Sequence, residues 1–231
     1  MHDSGLSIFD IAGPVMVGPS SSHTAGACKI GQFARALFHG TPEKVTFYLH
    51  GSFGEVYKGH ATDKALMAGI LKMKTSDPEL KNSFKIADER KIKYDFIVKD
   101  LGKKYHPNTV KIVMEEKGRK MSVTGSSIGG GMIEIVKIDN FDVLIKGQAG
   151  RYLSLVIQHD RKLDLIDVIV PKLKELEIKV ADIESTIFRN KMLSVLSTEG
   201  HRITLPEVIA LEKSVKNKGV DFIRALSKLE R

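Results

Sequence analysis

The chain has 231 residues, of which 42% are hydrophobic and 28% charged, a composition typical of a globular protein with a substantial buried core. It has no run of the roughly 20 apolar residues that a membrane span needs, and its first residues lack the basic and apolar regions of a signal peptide, so we expect a cytoplasmic protein. The net charge of +8 comes from Lys and Arg residues dispersed among acidic ones, with few aromatic side chains, which argues against a nucleic-acid partner.

The first part of the chain predicts an α+β domain. Apolar spacing predicts helices at residues 25–38 and 62–74. Strands are predicted at residues 44–50, 95–98, 109–115, 120–125 and 132–138, with a hairpin turn at Lys117-Gly118-Arg119. Segment 51–54 is predicted to be a flexible loop, and the glycine-rich segment 125–131 is predicted to be a loop.

The pattern changes near residue 148, so we predict one domain at residues 1–147 and a second at residues 148–231. The second domain predicts a strand at 152–158, a helix at 164–176, strands at 178–186 and 191–198, a helix at 206–216 and a last segment at 220–229 that fits a strand or a helix. Pro171 must kink the first of these helices or mark a delayed start. A βαββαβ order is the ferredoxin-like arrangement.

The segment from Gly18 to Gly26 concentrates polar groups before the first predicted helix. One Ser or Thr suffices to cap a helix, but four hydroxyls occur here, on Ser20, Ser21, Ser22 and Thr24. Together with the partial positive charge of a helix N-terminus, they favour binding of a carboxylate or phosphate. His23 lies among them and can donate, accept or move a proton near neutral pH.

Three further clusters lie at the boundaries of predicted elements, where binding groups often occur. They are Gly59-His60-Ala61-Thr62-Asp63, His106-Pro107-Asn108-Thr109 and the glycine-rich segment 125–131. Each also has a structural explanation, as a helix cap, a turn and a flexible hairpin. His23, His60 and His106 are three histidines that a metal site could use, although no matching carboxylate pattern accompanies them.

Cys28 is the one cysteine of the chain, which excludes an internal disulfide and any cluster site made only of this chain's thiolates. A nucleophile or a cluster ligand is conceivable at this position. Small buried cysteines are common in helices, and we favour that interpretation.

Four motifs occur together in this chain: GPSSSHTAG at Gly18–Gly26, LHGSFGEVYKGHATDKAL at Leu49–Leu66, HPNTV at His106–Val110 and SSIGGG at Ser126–Gly131. This combination resembles the β subunit of the bacterial iron-sulfur L-serine dehydratases. The segment from about residue 150 resembles the ACT domain that ends this subunit in the two-chain form of the enzyme. Its segment 160–164 departs from the usual D-x-P-G-like turn of amino-acid-binding ACT domains, so self-association is the role we expect for it.

The resemblance implies an L-serine ammonia-lyase that forms pyruvate and ammonia with a 4Fe-4S cluster. The family's cysteine ligands lie on a separate α subunit, so the active site is expected where the two chains meet. Within this chain the resemblance implies a catalytic role for His23 as base or orienting group. The residues implied in substrate binding are Ser20, Ser21, Ser22, Thr24, His60, Asp63, His106 and Asn108.

A regulatory protein that binds an amino acid or another anion is the alternative. The first domain also resembles the allosteric substrate-binding domain of some phosphoglycerate dehydrogenases, and an ACT-like domain is compatible with that role. An allosteric anion site needs hydroxyls and a helix N-terminus but has no need of a titrating histidine among them. The presence of His23 therefore favours the enzyme subunit.

Overall fold

The computed structural model describes residues 16–147, 153–200 and 203–226. The described chain forms two compact units, the first made of residues 16–139 and 143–147 and the second of residues 140–142, 153–200 and 203–226. Both units combine helices with a sheet, which confirms the predicted α+β class. Among the residues described, no helix has the length and apolar character needed to cross a membrane.

A six-stranded sheet with the order β2-β1-β3-β4-β5-β6 organises the first unit. Its strands are β1 (Lys44–His50), β2 (Lys93–Val98), β3 (Thr109–Glu116), β4 (Arg119–Gly129), β5 (Met132–Ile138) and β6 (Phe141–Gly147). The pair β1–β2 is parallel, whereas β1–β3, β3–β4 and β4–β5 are antiparallel. The strands β1 and β5 have the predicted bounds, and β6 was not predicted.

The helices of this unit begin with a π-helical turn at Ser21–Gly26 that continues directly into α1 (Ala27–Phe38). There follow α2 (Ser52–Val56), α3 (Thr62–Ile70), a 3-10 turn (Pro78–Asn82) and α4 (Ser83–Glu89). The helices α1 and α3 cross closely, because a Cβ added at Gly69 would lie 2.8 Å from the Gly31 Cα. Buried apolar residues fill the space between these helices and the sheet, among them Ile30, Leu37, Phe47, Leu66 and Ile112.

The flexible loop predicted at 51–54 is wrong, and the loop predicted at 125–131 is present only as the short turn of a hairpin. Segment 51–54 lies largely within α2, and most of segment 125–131 belongs to β4, with a turn only at Gly130–Gly131. At Gly125 a side chain would come within 2.9 Å of Ile30 and Ile135, so the glycine allows close packing within a strand and does not mark a flexible loop. The helix predicted at 62–74 ends at Ile70.

A second missed element is α4. Asp77-Pro78, predicted to mark the end of the helix at 62–74, instead starts a new helical segment, seven residues after that helix has ended at Ile70. The Asp77 carboxylate accepts the Glu79 N–H at 2.9 Å, and Pro78 occupies the first helical turn. Because a cap and a breaker use the same residue types, the pattern did not reveal the helix that follows.

The second unit has the predicted βαββαβ order. Its elements are β7 (Leu153–Asp160), α5 (Leu165–Val168), α6 (Val170–Glu175), β8 (Lys179–Phe188), β9 (Lys191–Glu199), α7 (Leu205–Val215) and β10 (Val220–Leu226). All pairs in its sheet, ordered β10-β7-β9-β8, are antiparallel. The single helix predicted at 164–176 is divided into α5 and α6, with Pro171 in the first turn of α6. The last segment is a strand, and Tyr152 lies outside the described residues.

Candidate active site

The register of the first sheet brings three of the four motifs to one end of that sheet. His50 pairs with Thr109, and Thr109 pairs with Ser126. The segment after β1, the segment before β3 and the serines of β4 therefore lie side by side. A hydroxyl pair joins two of these strands, with the Thr109 and Ser126 Oγ atoms 2.7 Å apart.

The fourth motif, the π-helical turn, packs onto this end of the sheet. Gly26 lies directly against Ser127, where any side chain on the glycine would collide with the serine Oγ. The Ser127 N–H donates to the Asn108 carbonyl at 2.9 Å. On the other side, the Thr24 hydroxyl donates to the His60 carbonyl at 3.0 Å. All four motifs thus meet around one short helical turn.

The turn itself starts at Ser20, which has extended backbone angles. Its Oγ accepts the His23 N–H at 3.1 Å, and its carbonyl accepts the N–H groups of Thr24 at 2.9 Å and Ala25 at 3.4 Å. The predicted helix start at residue 25 is therefore corrected to Ser21, because the polar segment is itself helical. One hydroxyl caps the helix, as expected. A short π-helical turn within a longer helix often occurs at a functional site.

The His23 ring is half-buried and has a hydroxyl at each nitrogen. Nδ1 lies 3.2 Å from Ser22 Oγ and Nε2 lies 2.9 Å from Ser52 Oγ. The ring packs against the edge of Phe53, at 5.5 Å between centroids, and beside the His60 ring at 5.0 Å. Burial, and to a smaller extent His60, lowers the pKa of His23. A lowered pKa keeps the imidazole neutral at pH 7, the form that accepts a proton.

Buried polar atoms without hydrogen-bond partners concentrate in the same motifs. Within the described chain there are four such side-chain atoms, and three of them are His60 Nδ1, Thr62 Oγ1 and Ser127 Oγ. The fourth is Gln32 Oε1. Such groups are rare in protein interiors, where nearly every buried polar atom is paired. Their concentration in the motifs that surround the π-helical turn is typical of a binding site and not of a structural core.

The predicted site residues differ in how they are placed. Thr24 is fully buried, and its hydroxyl is committed to the His60 carbonyl. Asp63 lies in the first turn of α3, accepts the Lys64 N–H at 2.7 Å, and has its pKa raised by burial. His106 is exposed, and its Nδ1 accepts the Asn108 N–H at 3.1 Å, which closes a turn directly before β3. The substrate-binding roles of these residues, and of half-buried Ser21, stay predictions.

Ser52 and Phe53 are the site residues that the sequence did not single out. Both were placed in a loop predicted to be flexible, whereas they begin α2 and contact His23. A serine two residues after a strand end, within one of the four motifs, was the signal available. It did not identify Ser52 because the contact spans 29 positions of sequence.

Cys28 has the buried environment that we favoured. It is fully buried, its thiol faces the Met73 carbonyl at 3.7 Å, and burial raises its pKa to about 12. A thiol with such a pKa is neither a nucleophile nor a ready metal ligand. In the described parts of the chain, no group of three or more His, Cys, Asp or Glu side chains is placed to hold a metal ion, so His23, His60 and His106 do not form a triad.

A protein-family match covers most of the first unit. The family model described as "Serine dehydratase beta chain" matches residues 7–137, more than half of the chain. This match identifies the chain as a dehydratase subunit. It belongs to the serine dehydratase beta chain family, which confirms the resemblance of the four motifs.

Relatives with assigned names agree with the family. A probable L-serine dehydratase beta chain of Bacillus subtilis is 41% identical over 178 residues, covering 77% of this chain and 79% of the relative. The L-serine dehydratase beta chain of Peptoniphilus asaccharolyticus is 38% identical, with 83% and 84% covered. An L-serine dehydratase of Helicobacter pylori is 32% identical over 58% of this chain and 34% of its own length. These names favour the enzyme interpretation over the regulatory alternative.

Proposed function

We propose that the chain is the β subunit of an iron-sulfur L-serine ammonia-lyase, which forms pyruvate and ammonia together with a cluster-bearing α subunit. One observation carries the proposal. Four separate motifs converge on a half-buried histidine that is held between two hydroxyls and whose pKa is lowered. The beta-chain names of the relatives support a partner chain and serine as the substrate.

Deamination of serine starts with removal of the proton on the α-carbon, and this step needs a base that is unprotonated at neutral pH. His23 meets that requirement, because burial and the neighbouring His60 favour its neutral form. The substrate carboxylate needs an anion site within reach. The first turn of the π-helical segment offers N–H groups not used by the helix, with Ser21 and Ser22 at its start. The chain thus supplies a base and a carboxylate site side by side.

The residues of this chain do not fit a cluster. Four thiolates are the usual ligands of a 4Fe-4S cluster, whereas Cys28 is a lone thiol, fully buried, with a pKa of about 12. We therefore assign cluster ligation to cysteines of the α subunit. The roles of base and carboxylate site belong to this chain.

The second unit is proposed to be an ACT-like domain that pairs subunits. Its segment 160–164, from the last residue of β7 to the start of α5, carries two carboxylates that both have structural partners. Asp160 forms an ion pair with Lys191 at 2.8 Å, and Asp164 caps α5 by accepting the Ile166 N–H at 2.8 Å. With its acidic groups committed and without the usual Pro and Gly, this segment favours self-association over effector binding.

The test is anaerobic co-expression with a cysteine-bearing α subunit, followed by an assay of pyruvate release from L-serine. We expect a brown complex that is active, and we expect His23→Ala to lower kcat by about 10²-fold or more, the usual contribution of a general base. His39→Asn is the matched control, because His39 is exposed at the far end of α1 and has the left-handed backbone that Asn tolerates. A stable brown complex that releases no pyruvate would overturn the proposal.

A further inference from the structure

Ser52 is the hydrogen-bond partner of the outer ring nitrogen of His23. Of the two ring nitrogens, Nδ1 is the closer to the backbone, and it faces Ser22 of the same helical turn. Nε2 points away from that turn and lies 2.9 Å from Ser52 Oγ, with the hydroxyl in the direction of the ring lone pair or N–H. A proton moving to Nε2 along that direction meets the Ser52 oxygen first.

The backbone holds Ser52 in place from both sides. Gly51, the residue before it, has φ of 53° and ψ of −129°, and an added Cβ would lie 2.7 Å from the Pro107 carbonyl oxygen. Phe53, the residue after it, is fully buried against the His23 ring, and its N–H donates to the same carbonyl at 3.4 Å. The placement of Ser52 therefore does not depend on a flexible loop.

The hydroxyls on the Nδ1 side complete a consistent proton arrangement. Ser22 Oγ lies 3.2 Å from Nδ1 and 3.4 Å from Ser20 Oγ. If Nδ1 carries the hydrogen and donates to Ser22, and Ser22 donates to Ser20, then Nε2 is the acceptor and Ser52 donates to it. The reverse order protonates Nε2 and leaves His23 without a lone pair where a base is needed. Only the first order suits the proposed reaction.

We propose that Ser52 is a catalytic residue that relays the α-proton of the substrate to His23, an inference that rests on the proposed function. The Cα–H bond breaks and its hydrogen bonds to Ser52 Oγ, while the Ser52 hydroxyl hydrogen moves to His23 Nε2. The electron pair of the Cα–H bond stays on the substrate and forms the Cα=Cβ bond as the β-hydroxyl departs. His23 ends as an imidazolium whose Nε2–H donates to Ser52.

The kinetic test compares Ser52→Ala, Ser52→Thr and Ser22→Ala in the assembled complex. The relay predicts that Ser52→Ala lowers kcat by about 10²-fold or more with KM changed only a few-fold, because one proton-transfer group is lost. Ser52→Thr keeps a hydroxyl and is expected to restore most of the rate. Ser22→Ala removes a hydroxyl of the proposed carboxylate site, so it is expected to raise KM, in contrast to the loss of kcat expected for Ser52→Ala. If His23 takes the proton directly, removing Ser52 opens Nε2, and a Ser52→Ala complex with wild-type kcat overturns the relay while the proposed function stands.

A second measurement uses the isolated full chain and does not depend on lyase activity. Nitrogen chemical shifts of the His23 ring report its tautomer, and the relay predicts hydrogen on Nδ1 in the wild-type chain and a shift towards Nε2–H in Ser52→Ala. His106 is the internal reference, since its Nδ1 accepts the Asn108 N–H and is fixed as the acceptor in both chains. A wild-type His23 already protonated on Nε2 contradicts the relay. An inactive wild-type complex refutes the proposed function instead, and the tautomer then decides whether Ser52 donates to His23.

Discussion

Replacing Gly69 by alanine tests the crossing of α1 and α3, the two helices that follow the π-helical turn and the His60 segment. Helix propensity alone favours alanine over glycine by about 1 kcal/mol, and on that basis the variant gains stability. The structure predicts the opposite. A Cβ at Gly69 would lie 2.7 Å from Gln32 N and 2.8 Å from Gly31 Cα, and closer still to the Cys28 carbonyl oxygen.

All of these neighbours are backbone atoms, so the contact is relieved only if the two helices move apart. Overpacking of this kind costs about 1–3 kcal/mol and sometimes more, and backbone neighbours place Gly69 at the upper end of that range. After subtraction of the propensity gain, we expect a net loss of about 2 kcal/mol. For a protein of this size, that loss lowers Tm by roughly 4–8 °C.

Thermal unfolding of the full chain, followed by circular dichroism, measures this difference. Gly59→Ala is the matched control, because it makes the same chemical change where the nearest atom to the new Cβ, the Val56 carbonyl oxygen, lies 3.7 Å away. We expect its unfolding free energy within about 0.5 kcal/mol of the wild type, as for most surface substitutions. A Gly69→Ala chain as stable as the wild type, beside a normal control, would refute the close crossing.

Three further predictions concern single groups. Because burial raises the pKa of Cys28 to about 12, its thiol is expected to resist alkylation at pH 8 in the folded chain and to react after unfolding, and rapid labelling of the native chain would contradict its burial. The pKa of His23 is lowered in the folded state, so the stability that its neutral form contributes is complete above the unfolded pKa of about 6.5 and is lost as the pH falls through the folded pKa. Because His60 contributes to this lowering, His60→Gln is expected to raise the pKa of His23. An NMR titration in which the His23 pKa is unchanged by His60→Gln would exclude the coupling. Thr204→Ala removes the capping box of α7, in which the side chains of Thr204 and Glu207 each bond to the other residue's backbone N–H. The variant is expected to lower the unfolding free energy by about 1 kcal/mol. An unchanged midpoint of urea unfolding would show that the cap contributes nothing.

Elements with a clear periodic pattern were predicted accurately. Strands β1 and β5 have their predicted bounds, because alternating or continuous apolar residues between turn signals leave one reasonable assignment. The βαββαβ order of the second unit was equally accessible, and Pro171 correctly indicated a break between α5 and α6. In all of these places the structure of a segment is determined by its own residues more than by distant contacts.

Several of the wrong secondary-structure predictions concern segments that contain glycine. The sequence does not distinguish a glycine that provides flexibility from one that allows close packing, and Gly125 and Gly69 are of the second kind. At Gly51 the positive φ places Ser52 on His23, a consequence that depends on Pro107 more than fifty positions later in the chain. Such close approaches exist only once the partner segments have folded together.

The sequence by itself determined the α+β class, the family and most of the residues that converge on the candidate site, because four motifs and one histidine among hydroxyls are local features. The tertiary structure alone decided which of these groups touch. The register of β1, β3 and β4 joins three motifs at one end of a sheet, and the crossing of α1 with α3 is so close that only glycine fits at Gly69. That packing gives His23 its partner in Ser52 and lowers its pKa, since both effects depend on burial and on contacts between distant segments.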